Sequence, residues 1–250
     1  MNLTLFAICY VTALSTAVYI GYRIARNKYF LQKRNWKASG VETSIISLFG
    51  LILSFTLLLS GNASKDRLNL IHEHVDALST LYRDASFVSV PVRDTVQSFV
   101  LQILEEKVFE DRSNAFEEDT LIVSSNRLYK NLWLSLLSMH DKDPQLKSDI
   151  KAIMVGVNNA TALHYRIEYG AIERMPWILI AMITICSLLV GVLVGFSNGF
   201  NENDHYLAPI VFVIMTSIMV MVILDINNPK KGFFRPSLNN YTNAYNEFVM

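Results

Sequence analysis

The chain has 250 residues, 52% of them hydrophobic and only 18% charged, with a mean hydropathy of +0.29. Lys plus Arg and Asp plus Glu balance at 22 each, so no basic surplus exists to recruit nucleic acid, and the apolar content exceeds that of an ordinary soluble domain. Cys9 and Cys186, the two cysteines, both lie in apolar stretches and imply neither a disulfide framework nor a zinc site.

The apolar residues are concentrated in four stretches without Asp, Glu, Lys or Arg: 3–22, 44–60, 176–196 and 206–224. A hydrocarbon core of about 30 Å takes about 20 residues of helix, so each stretch is predicted to span a membrane, the second only just. No basic region precedes the first span and no small-residue cleavage site follows it. Arg23, Arg26 and Lys28 come next, which predicts a retained anchor and not a signal peptide.

Between the second and third spans lies a polar insert, residues 61–175, whose apolar residues recur at threes and fours. Leu68, Ile71, Val75, Leu78, Tyr82 and Ala85 predict a helix that runs straight on from the second span until Pro91. Pro91 then suits the first turn of a helix with Val92, Val96, Phe99, Val100, Ile103 and Leu104 on one face. A third helix is predicted over about 116–139, carrying Leu121, Leu128, Leu132, Trp133 and Leu136, and it ends before Asp141-Lys142-Asp143-Pro144. A fourth starts at Pro144 with Leu146, Ile150, Ile153, Val157, Ala160 and Leu163. The fold class is therefore all-α: four transmembrane helices with a helical bundle inserted between the second and third. The predicted boundaries are 1–60, 61–175, 176–226 and a polar tail over 227–250.

Four spans place the bundle and both termini on one side of the membrane. Six basic residues in the short first connection, among them Lys33, Arg34 and Lys37, favour that connection in the cytoplasm and the bundle outside. Lys65, Arg67, Arg166 and Arg174, at the bundle's membrane ends, weigh the other way.

No enzyme signature is present: no nucleophile elbow, phosphate-binding glycine loop or His-Glu-x-x-His, and the five histidines lack metal-ligand spacing. No catalytic residue, metal or cofactor is assigned. His72 and His74 are two apart and point to different sides of a helix, so they make no metal-binding pair, and as both flank the seam they are read as a solvated face. His140 and His205 sit at helix ends, and His164 lies beside Leu163. In the third span, Gly191, Gly195 and Gly199 remove side chains from one face and predict close helix packing. The second span is hydroxylic, and Ser47, Gly50 and Ser54 form a small polar stripe that either packs or faces water. If it faces water, these residues line a path that neighbouring apolar side chains, Phe49 or Leu51, gate by dewetting. Glu42 and Asp225 are acids at membrane edges, read first as snorkelling or, for Asp225, as pairing with Lys230 or Arg67.

Three segments together resemble the bacterial bestrophin-like membrane family. They are Asp76-Ala-Leu-Ser-Thr-Leu-Tyr82-Arg83-Asp-Ala85, Arg174-Met-Pro176-Trp177, and Leu224-Asp225-Ile-Asn-Asn-Pro229-Lys-Lys-Gly232. The last is similar to that family's Asp-Leu-Asp-Arg-Pro-Phe-x-Gly ending and departs from it at Asn227 and Lys230. The resemblance covers most of residues 42–232. It implies kinship in layout with bestrophins, pentameric anion channels with four spans per subunit and a helical cytosolic part, and so a bundle on the cytoplasmic side. It also implies a multi-pass protein of the bacterial inner membrane.

The leading expectation is a homo-oligomer in the lipid bilayer that passes an ion, an anion by the resemblance, or a small solute. The competing class is a membrane-anchored helical sensor or interaction module without transport. No nucleic-acid partner is expected.

Overall fold

A computed structural model describes residues 3–27, 40–113, 120–172, 176–200, 206–228, 233–234 and 236–249. The protein is all-helical with eight α-helices among the described residues: α1 Leu3–Ala25, α2 Val41–Asp84, α3 Val90–Ser113, α4 Thr120–Lys142, α5 Lys147–Ile172, α6 Trp177–Gly199, α7 Leu207–Ile226 and α8 Asn239–Val249. α1, α6, α7 and the first part of α2 are long and apolar enough to cross a membrane. α2 has 44 residues, about 66 Å at 1.5 Å per residue, more than twice what a hydrocarbon core needs.

The chain divides into two units. The first comprises Met1–Ala63 and Arg174–Phe234. α1 and α6 lie closest within it, because the glycine face of α6 lets two backbones meet. A Cβ on Gly195 would overlap the Val18 carbonyl oxygen, and one on Gly199 would sit 2.6 Å from that of Tyr22. The apolar core holds Tyr10, Leu14, Phe49, Leu53, Ile183, Val190, Val220, Ile223 and Leu224. Tyr10 resolves its own polarity there by donating its hydroxyl to Ser187 Oγ at 2.8 Å, and Ser187 donates onward to the Thr184 carbonyl at 2.7 Å.

The second unit comprises Ser64–Glu173 and Arg235–Met250. Its core gathers the apolar faces of four helices: Ile71, Val75 and Leu78 of α2; Val92, Val96, Val100, Ile103 and Leu104 of α3; Leu132 and Leu136 of α4; Ile150, Ile153, Val157, Ala160 and Leu163 of α5. Asp143 accepts the Gln145 backbone N–H at 2.9 Å with Pro144 in the first turn, which restarts the chain as a short 3-10 turn leading into α5.

Two expectations need correction. Trp133, placed on the apolar face of the third helix, is 41% exposed on α4. Leu132 and Leu136, four apart, take the inward face, and Trp133 follows Leu132 by about 100°, too far round to share it. The stretch read as a polar tail contains α8, which packs on α3 and buries Tyr241 and Ala244 in the bundle core. Its spacing of Tyr241, Ala244, Tyr245 and Phe248 is amphipathic, and the four asparagines among residues 239–250 conceal it.

Candidate functional site

The stripe on α2 is laid out by helical phase. At 100° per residue, Ser47, Gly50 and Ser54 lie within about 60° of one another, and all three are exposed. A Cβ on Gly50 would meet no atom within 4 Å, so this glycine serves no close approach inside the chain, unlike Gly195. Ser54 donates its hydroxyl to the Gly50 carbonyl at 3.0 Å, while Ser47 makes no side-chain hydrogen bond among the described residues. The structure does not bring Phe49 to this face. Phe49 is 4% exposed, packed with Leu53 in the core of the first unit, about 100–160° round the helix from the stripe. The apolar residues beside the stripe are Leu51 and Leu58, both exposed.

Asp225 does not extend into solvent, and Lys230, its expected partner, lies outside the described residues. It is 7% exposed at the end of α7, and its two carboxylate oxygens accept the backbone N–H groups of Phe233 and Phe234, each at 2.7 Å. One carboxylate thus satisfies two backbone donors eight and nine residues on, a role that the sequence position alone does not disclose. Glu42 is half-buried in the first turn of α2. Of the family-motif residues, Tyr82 stacks on Phe248 of α8 with ring centroids 4.2 Å apart, and Arg83 pairs with Glu247 at 2.9 Å on the surface. Pro176 caps the start of α6. Pro229, Gly232, Lys230, Arg174 and His205 lie outside the described residues.

The centre of the bundle holds a polar cluster that the reading of His74 as solvated missed. His74 is 1% exposed, with Nδ1 2.7 Å from the Tyr241 hydroxyl and Nε2 2.7 Å from that of Tyr129. The Tyr129 hydroxyl also lies 3.4 Å from the Ala160 carbonyl oxygen, and the neutral imidazole donates to one tyrosine and accepts from the other. His164, also 1% exposed, stacks on Tyr129 at 4.4 Å and bonds Asn126 Oδ1 at 2.9 Å. Lys107 and Glu168, both largely buried, pair at 3.5 Å nearby.

Burial holds His74 neutral, pushing it down to about 3 with help from His164 and Lys107. Burial and then Lys107 take His164 to about 4. Burial, before its neighbours Tyr241 and Tyr165, raises the Tyr129 hydroxyl well above its ordinary value. Both His74 nitrogens are occupied by tyrosines, and among the described residues no three His, Cys, Asp or Glu side chains converge on a common point. The cluster therefore ties α2, α4, α5 and α8 together through hydrogen bonds and ring stacking. Its one sequence signal is phase: His74 falls between Ile71 and Leu78 on the apolar seam, not beside it.

Residues 6–238 match the family model described as the Bestrophin-like domain. Among solved structures, the fold is similar to a single-substitution variant of a bacterial bestrophin homologue from Klebsiella pneumoniae, with a TM-score of 0.70 at 12% identity over 100% of this chain and 97% of that one. A second variant gives 0.69 at 13% identity over 100% and 98%, and a structure described as a membrane protein gives 0.70 at 13% identity over 97% of each chain. At such identity the likeness is one of fold. No curated protein matches the chain at a significant level.

Proposed function

We propose a function from the premise that this chain belongs to the bestrophin-like family, as the match over residues 6–238 shows. The chain is the subunit of a homo-oligomeric ion channel in the bacterial inner membrane, and the Ser47, Gly50 and Ser54 face of α2 lines its path. One observation carries this reading. The stripe is polar, free of charge and exposed, and a Cβ on Gly50 would meet no atom among the described residues, on a helix whose other face is buried. Hydroxyls there supply dipoles without the cost of a fixed charge in the bilayer, and Leu51 and Leu58 supply the apolar constriction. The layout shared with bestrophins makes an anion the first ion to test.

In liposomes, Ser47→Cys and Ser54→Cys should react with a water-soluble thiol reagent and change ion flux, whereas Leu53→Cys, facing the core, should remain inert. Inert cysteines at 47 and 54 would reduce the stripe to a packing surface. The competing reading, an anchored interaction module, draws on the exposed Trp133, Leu134 and Leu137 of α4. It predicts no flux from the purified protein under any ion gradient.

A further inference from the structure

A cavity of about 510 Å³ opens in the first unit between α1, the end of α6 and the start of α7, within the range of small-molecule sites. Its walls are apolar, chiefly Val18, Ile210, Val213 and Ile214, and its floor includes Gly195, where α6 lies against the α1 backbone. All three elements belong to helices long and apolar enough to cross a membrane, which makes lipid the expected surroundings at this depth. The cavity extends from Ser15 to Tyr22 along α1, about 10 Å inward from the end of that span.

Apart from the Ser15 hydroxyl, the polar side chains gather toward the Tyr22 end of the cavity. Tyr19, Tyr22 and Tyr206 line the mouth, as tyrosines do at a membrane interface. The Arg23 guanidinium stands 5.9 Å over the Tyr19 ring, and that of Arg26 5.7 Å over Tyr22, whose hydroxyl Arg26 also meets at 2.6 Å. Lys28, Lys33, Arg34 and Lys37 follow in sequence, with no acid before Glu42. Asn198 also lines the cavity, and its side-chain amide makes no hydrogen bond among the described residues. An amide N–H beside hydrocarbon favours a hydrogen-bond acceptor, which a carbonyl from the occupant supplies.

Apolar depth, an amide at the interface and a cationic rim fit one chemistry. We propose that this cavity is a binding site for an anionic glycerophospholipid, with an acyl chain between α1 and α7, an ester carbonyl on Asn198 and the phosphate at Arg23 and Arg26. The charge, and not the apolar cavity alone, sets the preference. Cations at a membrane surface attract anionic lipid by about 1 kcal/mol each, which for two arginines corresponds to about a tenfold or greater preference over a zwitterionic lipid.

Native mass spectrometry of the full-length protein, titrated with phosphatidylglycerol or phosphatidylcholine, tests this. The wild type should bind phosphatidylglycerol at least about tenfold more tightly. Arg23→Gln, on an exposed side chain, should bring the two lipids within a few-fold of each other. Ile214→Trp, which fills the cavity, should lose both, and Leu189→Trp, on a different exposed face of α6, should behave as wild type. Equal binding of the two lipids by the wild type, or full retention by Ile214→Trp, would overturn the proposal. So would a disulfide between copies of Ile214→Cys in native membranes, since a second copy would then cover the site.

Discussion

Acidification should unfold the bundle long before it protonates the native cluster. Both buried histidines are depressed in the folded protein, His74 to about 3 and His164 to about 4, against about 6.5 in an unfolded chain. Between those limits the unfolded state binds more protons than the folded state, so stability rises with pH. The contribution is complete above about pH 6.5 and is lost as pH falls toward the folded values. Each unit of pH in that window costs about 1.36 kcal/mol per histidine, so reaching pH 5 costs about 2 kcal/mol for each and about 4 kcal/mol for the pair. That is a large share of the roughly 5–15 kcal/mol available to a domain. Trp133 of α4 reports on the bundle in a Trp36→Phe, Trp177→Phe background, and urea midpoints from pH 7.5 to 5.0 supply the measurement. His74→Gln should remove about half of the slope. A midpoint that does not change with pH over this range would show that His74 and His164 are not buried neutral bases, and the assignment of the cluster would fall.

Other perturbations test other parts of the structure. Breaking the buried Lys107–Glu168 pair by Glu168→Gln should destabilise the bundle by about 3 kcal/mol in the same unfolding assay, with Lys107→Met/Glu168→Leu recovering most of it; an unchanged midpoint for the single variant would mean that the pair is solvated. Gly195→Ala should collapse the thermal stability of the detergent-solubilised protein, because its Cβ overlaps the α1 backbone, whereas Gly50→Ala should leave it unchanged or raise it slightly. Should Gly50→Ala instead dissociate an oligomer, the stripe packs on a second copy and does not face water. Cysteines at positions 2, 118 and 246 should all label from one side of the membrane, since four spans require it; position 118 opposite to position 2 would remove a span.

Period and phase made the helices legible before any coordinates. The apolar seams at threes and fours located α2 through α5 to within a few residues, and proline at 91 and 144 marked starts that the structure keeps. Side-chain identity misled where it was set above phase. His74 reads as solvated when it is placed flanking the seam, although its position between Ile71 and Leu78 puts it inside; the two tyrosines that satisfy it come from α4 and α8, and no local pattern reveals a partner 55 or 167 residues away. Asp225 illustrates the same limit, since its partners are backbone groups, which every residue carries. Phe49 was grouped with the stripe by adjacency in sequence, and one helical residue of separation is a rotation of about 100°.

The charge preference of the α2 stripe follows from where its protons go. Ser54 gives its hydroxyl proton back to the Gly50 carbonyl, one turn earlier on the same helix. In hydrocarbon or a narrow pore that local bond is worth keeping, because a donor freed from it has few other acceptors. What Ser54 turns outward is therefore oxygen lone pairs, which coordinate a cation and repel an anion. Ser47, with no side-chain hydrogen bond among the described residues, offers either. If the stripe lines the path in this conformation, position 54 lowers the barrier for cations, and anions gain there only if Ser54 breaks its own bond. Reversal potentials under a KCl gradient should then show cations permeating at least as readily as chloride. Ser54→Ala should shift the balance toward chloride while leaving thermal stability unchanged, since it deletes only a bond within the helix. Strong chloride selectivity in the wild type, unaltered by Ser54→Ala, would remove Ser54 from the selective part of the path and leave the choice of ion to residues elsewhere in the chain.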